Sequence, residues 1–149
     1  MSETSDLYQE VILDHYKRPR NQGRLDDADR HADGQNPLCG DHVTVFVKVK
    51  GGIVEEITFE GSGCAISTAS ASLMTETIKG KTLDEAKALF RKFHAMVTGA
   101  EEEDGGDGLG KLSVFSGVCR YPARVKCATL VWHTLDAALD DRREPISTE

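Results

Sequence analysis

The chain has 149 residues and a formal charge of −7, from 25 acidic against 18 basic side chains, with 39% of its residues hydrophobic. That length favours one domain, residues 1–149, around one core, and the acidic balance argues against nucleic acid as a main partner, because phosphate binding needs a basic surface. No apolar run approaches the roughly 20 residues of a membrane span, and the N-terminus carries acids early with no basic patch before an apolar stretch, so no signal peptide is expected and the expected compartment is the cytoplasm.

Residues 5–16 read as a helix, with Leu7, Tyr8, Val11, Ile12 and Leu13 giving an apolar face and Pro19 barring its continuation. Residues 17–37 are polar and read as a long loop, or a loop with one irregular strand. In 42–50, Val43, Val45, Val47 and Val49 point one way and His42, Thr44, Phe46, Lys48 and Lys50 the other, which is the period of a strand. Gly51-Gly52 is a two-residue hairpin signal, and 53–60 returns antiparallel with Ile57 and Phe59 on one face.

Gly61-Ser62-Gly63 breaks that strand, and a helix is expected over 65–79. Its side chains are small (Ala65, Ser67, Ala69, Ser70, Ala71, Ser72), so another backbone can approach closely. Gly80 ends it. Thr82 and Glu85 spell a capping box that opens a third helix carrying Leu83, Ala86, Leu89, Phe90, Phe93 and Val97. An acidic, glycine-rich run comes next, read as a mobile insertion over about 99–117. Pro122 fits the first turn of a last helix reaching to about Asp140. The fold class expected is α+β, a small antiparallel sheet packed against several helices.

Chemistry concentrates on the cysteines. There are four, Cys39, Cys64, Cys119 and Cys127, none arranged as C-x-x-C. In a reducing compartment they point to metal or thiol chemistry rather than disulfides. Cys39 runs into the first strand of the hairpin and Cys64 leaves the second, so both belong at one end of the sheet. Cys39 and Asp41 are two residues apart and face the same side of an extended segment. Cys64 precedes a helix and Cys127 lies early in one, and helix N-termini favour thiolates. Arg120, Arg124 and Lys126 add positive charge around Cys127. Three thiolates and one carboxylate suit a tetrahedral zinc ion, and the same thiolates suit iron–sulfur chemistry.

The gaps are long, so spacing alone leaves open that each cysteine is a small buried hydrophobe. A Cys–His hydrolase is the enzymatic alternative. Of the histidines, His42 points to the opposite face from Asp41, His133 lies off the Cys127 face, and His15, His31 and His94 sit beside no cysteine.

Three segments narrow the choice. Asn36-Pro37-Leu38-Cys39-Gly40-Asp41, Gly61-Ser62-Gly63-Cys64-Ala65-Ile66-Ser67 and Pro122-Ala123-Arg124-Val125-Lys126-Cys127-Ala128 resemble, in order, the cysteine motifs of the U-type iron–sulfur cluster assembly family. Asp14-His15-Tyr16-Lys17 and Pro19-Arg20-Asn21 resemble its opening. Lys126, where the IscU branch has a histidine, and the longer segment before the third cysteine are similar to the SufU branch.

The resemblance implies that Cys39, Asp41, Cys64 and Cys127 bind one Zn2+. It also implies that Cys39 accepts sulfur from the persulfide of a PLP-dependent, SufS-like cysteine desulfurase, in a sulfurtransferase-like relay toward downstream iron–sulfur assembly proteins. A scaffold carrying a transient iron–sulfur cluster or iron is the alternative, and a zinc-stabilised interaction domain the next. Cys119 matches no motif and is given no role.

Overall fold

The computed structural model describes residues 3–36, 40–98, 112, 115, 122–140 and 146–147. Its elements are α1 (Glu3–Lys17), β1 (Arg30–Asn36), β2 (Asp41–Lys50), β3 (Ile53–Ser62), α2 (Ala65–Ile78), α3 (Leu83–Thr98), α4 (Pro122–Leu139) and β4 (Ile146–Ser147). The sheet order is β3-β2-β1-β4. The first three strands are antiparallel neighbours, and the two-residue β4 lies parallel beside β1. This is the expected α+β class. The acidic run 99–110, Cys39 and Cys119 lie outside the described residues.

The hairpin forms where the sequence places it. Gly51 and Gly52 take φ of 62° and 77°, the double left-handed conformation that joins twisted antiparallel strands without splaying them. Val43, Val45 and Val47 of β2 are buried with Ile57 and Phe59 of β3 in one core, shared with Leu73, Met74 and Ile78 of α2 and Leu130, Val131 and Leu135 of α4. Trp132 and Phe93 stack at 4.7 Å between ring centres and seat α3 on α4.

Three readings change. First, 30–36 is a regular strand paired with β2 over its whole length, from Arg30 opposite Val47 to Asn36 opposite Asp41. Its inward residues are Ala32, Gly34 and Asn36, and a Cβ on Gly34 would stand 2.0 Å from Thr134 Oγ1, so the missing side chain lets α4 lie against the strand. Second, Leu13 is 48% exposed, while Val11 and Ile12 pack on the core and His15 is 2% exposed. His15 tolerates burial because Nδ1 shares a 2.7 Å hydrogen bond with Ser72 Oγ on α2. Third, Phe46, on the face away from the valines, is also buried and stacks against His31. The helix expected over about 65–79 is α2, which ends at Ile78 with Lys79 as its C-cap.

The capping box at Thr82 forms in both directions: the Thr82 N–H donates to Glu85 Oε1 at 2.9 Å, and the Glu85 N–H donates to Thr82 Oγ1 at 3.1 Å.

Candidate metal centre

Two chain reversals and one helix build the site. At the first reversal the Gly40 N–H donates to the Asn36 carbonyl at 2.9 Å, and Gly40 takes φ of +73°, a conformation that favours glycine. Asp41 then opens β2 directly opposite Asn36. At the second reversal β3 ends at Ser62, opposite His42, and the chain passes through Gly63 into α2. Cys64 is the N-cap of α2, with extended backbone (φ −73°, ψ 173°), and its Sγ accepts the Ser67 N–H at 3.4 Å. The sulfur therefore stands where a helix gathers partial positive charge. Cys127 comes from α4 and is 4% exposed.

Asp41, Cys64 and Cys127 converge: one carboxylate oxygen and the two sulfurs all lie within 4.8 Å of one another. They form the one such group of three or more among the described residues, and no histidine joins them. Asp41 is 3% exposed, and among the described residues both polar contacts of its carboxylate are with Cys64. The Cys64 N–H donates to Oδ1 at 3.1 Å, and the thiol lies 4.0 Å from Oδ2. A buried carboxylate with so few partners is costly unless a cation shares its charge.

The donor set fits a thiophilic ion. Donors around one tetrahedral zinc stand about 3.5–4 Å apart, so closing this triangle on a metal takes shifts of about 1 Å or less. Two sulfurs and one oxygen suit zinc or iron and do not suit magnesium or calcium. The cleft is shaped for this carboxylate: a Cβ on Gly63 would stand 3.1 Å from Asp41 Oδ1 and 3.0 Å from Ser67 Oγ.

Of the other residues singled out in the sequence, Arg124 is exposed on α4 and Lys126 is half-buried, both near Cys127 in the chain. Cys39 and Arg120 lie outside the described residues. The histidines pack elsewhere: His15 against Ser72, His31 against Phe46, and His94 and His133 against Phe90. Sequence reasoning missed Gly63 as the residue that leaves room for the Asp41 carboxylate. The signal was present, since a glycine immediately before a helix-capping cysteine marks a close approach.

The family profile described as "NifU-like N terminal domain" matches residues 7–128. The chain is 48% identical over 130 residues to the "Zinc-dependent sulfurtransferase SufU" of Bacillus subtilis, covering 87% of each. It is 41% identical over 139 residues to the "Iron-sulfur cluster assembly scaffold protein IscU" of Streptococcus pyogenes, covering 93% of this chain and 86% of the relative. Among solved structures it is similar to a putative iron–sulfur cluster assembly scaffold protein for the SUF system from Fervidobacterium islandicum. There the TM-score is 0.81 and the identity 38%, over 87% of this chain and 94% of that one.

Proposed function

The chain belongs to the NifU-like N-terminal domain family, and from that premise we propose that it is a zinc-bound sulfur acceptor serving iron–sulfur cluster assembly, with a cysteine desulfurase as donor. The observation that carries this reading is the convergence of Asp41, Cys64 and Cys127 within 4.8 Å. Cys39 supplies the fourth donor. It is two residues from Asp41, so chain connectivity alone keeps the two Cα atoms within about 7 Å.

Zinc, when bound, keeps the thiols deprotonated and moderates their nucleophilicity. The chain's own residues divide the remaining work. Asp41 holds the Cys64 amide and so fixes the strand-to-helix junction at the cleft. Cys127 forms the buried side of the site, and Cys64 stands exposed at its mouth. Cys39 is the acceptor: its thiolate attacks the outer sulfur of the desulfurase persulfide, a new S–S bond forms on Cys39, and the desulfurase cysteine leaves as thiolate. The sulfur is then handed to a downstream assembly protein.

The scaffold reading draws on the same thiols and on the similarity to the streptococcal relative. Lys126, where the scaffold branch has histidine, favours the acceptor, since it removes a nitrogen ligand beside the third cysteine.

The deciding experiment measures metal content after anaerobic purification together with sulfur transfer from a desulfurase supplied with cysteine. One zinc per chain and faster sulfide release are expected. A chain that carries no zinc and gains a cluster chromophore instead supports the scaffold.

A further inference from the structure

The small residues of α2 serve more than one neighbour, Ser72 meeting His15 of α1 and Ser70 meeting α4. At the level of the site α2 carries a directed contact: Ser70, fully buried, donates from Oγ to the Ala128 carbonyl at 2.6 Å. Ala128 is the residue directly after Cys127 and lies in the interior of α4, not at an end where carbonyls lack helical partners. The bond is therefore additional to the helix's own pattern. On the other side, Ser70 lies three residues, just under one turn, after Ser67, whose N–H is donated to Cys64 Sγ. One stretch of α2 thus holds the Cys64 sulfur directly, through the Ser67 amide, and the α4 backbone next to Cys127, through the Ser70 hydroxyl.

We infer that Ser70 is a positioning residue for the metal centre: its hydrogen bond to Ala128 sets the axial position of α4 against α2 and so fixes the distance from Cys127 Sγ to Cys64 Sγ. The inference rests on the ligand set proposed above. A metal site demands donor positions good to about 0.2 Å. Apolar contact is non-directional, so side-chain packing alone sets the position of one helix along the other less sharply than a directed bond does. A hydrogen bond from a serine, whose single-carbon arm has one rotatable bond, resists sliding directly.

The test compares wild type, Ser70→Ala and Thr134→Val as full-length proteins titrated with Co2+ and then Zn2+ against a chelator. Thr134 is equally buried on α4, but its hydroxyl donates to Leu130 within the same helix. The variant thus removes a buried hydroxyl without touching the seam at Cys127. Cobalt reports donor number and geometry through its thiolate charge-transfer and d–d absorption. Ser70→Ala is expected to keep its helical circular dichroism, lose at least about tenfold in metal affinity and show shifted or weakened cobalt bands. Thr134→Val is expected to stay within about twofold of wild type with unchanged bands, even if its melting temperature drops as much. Ser70→Ala with wild-type affinity and spectrum, or equal losses in both variants, overturns the inference and leaves Ser70 a general packing residue. A wild type that shows no thiolate–cobalt absorption overturns the ligand set itself, and that outcome is visible before any variant is measured.

Discussion

Asp41 and Cys64 meet at two points: the Cys64 amide donates to Oδ1 at 3.1 Å, and the thiol stands 4.0 Å from Oδ2. The carboxylate is thus both a candidate ligand and the partner of the amide at the strand-to-helix junction. Asp41→Ala should act on two observables. Without metal the Cys64 N–H loses its acceptor in a part-buried place while a desolvated carboxylate is removed, so the two effects oppose and the net cost should be small, about 1 kcal/mol or less, read by urea denaturation in chelator. With metal the variant should lower zinc content and impair sulfur-transfer turnover while the fold is kept. A loss without metal of about 3 kcal/mol or more would mean that the carboxylate is chiefly a structural cap and not a ligand.

Gly63→Ala probes the space around the same carboxylate. The added Cβ would meet Ser67 Oγ at 3.0 Å and Asp41 Oδ1 at 3.1 Å, so both must give by a few tenths of an ångström. The expected cost to the fold is about 1 kcal/mol, at the low end for overpacking. Zinc affinity should fall further, by about tenfold, since the displaced atom is a donor. Chelator competition checks this, and wild-type affinity with a lowered melting temperature would mean that Ser67 alone yields.

The contrast between legible and illegible parts has a physical source. The alternating valines of β2, the Gly51-Gly52 turn and the Thr82–Glu85 box are local codes, and the structure has all three. The topology of the hairpin also brings Asp41 and Cys64 together, because the two ends of an antiparallel pair are neighbours. β1 carries no such signal. Its inward residues are Ala32, Gly34 and Asn36, so a search for apolar periodicity finds nothing, and the strand is specified by its partner β2 and by the approach of α4. His15 was unreadable for a related reason: its burial depends on Ser72, 57 positions away. The Ser70 bond to Ala128 spans 58 positions and is likewise a tertiary fact.

Acid should loosen α3 first at its N-terminus. The Thr82 backbone N–H, and after it the Thr82 hydroxyl, hold the Glu85 carboxyl below its ordinary value of 4.5. A carboxyl depressed in the folded state contributes stability that is present above the unfolded value and is lost as pH falls through the folded one. Compared in chelator, so that metal release does not intervene, Glu85→Ala should be less stable than wild type at neutral pH. The gap should narrow as pH drops below about 4.5. Thermal unfolding at a series of pH values reads the difference, and a gap that is constant across the series would show that the cap acts without its charge.

Sulfur acceptance should belong to Cys39 rather than to the other thiols, and the geometry of the others says why. Cys127 is 4% exposed on α4, so its sulfur offers an approaching persulfide little surface. Cys64 is exposed, but its sulfur accepts the Ser67 amide and its own amide is held by Asp41. Cys39 stands in the sequence directly before Gly40 and two residues before Asp41, which opens β2, so chain connectivity alone keeps its thiol near the site. With desulfurase, cysteine and reductant, the zinc form should accelerate sulfide release, and Cys39→Ser should abolish that gain while remaining folded by circular dichroism. Mass spectrometry after a single turnover without reductant should place one extra sulfur on the peptide containing Cys39. Sulfur found on the Cys127 peptide alone would rule out Cys39 as acceptor. Inhibition by zinc, with iron restoring activity and a cluster absorbance, would assign the three cysteines to holding a cluster.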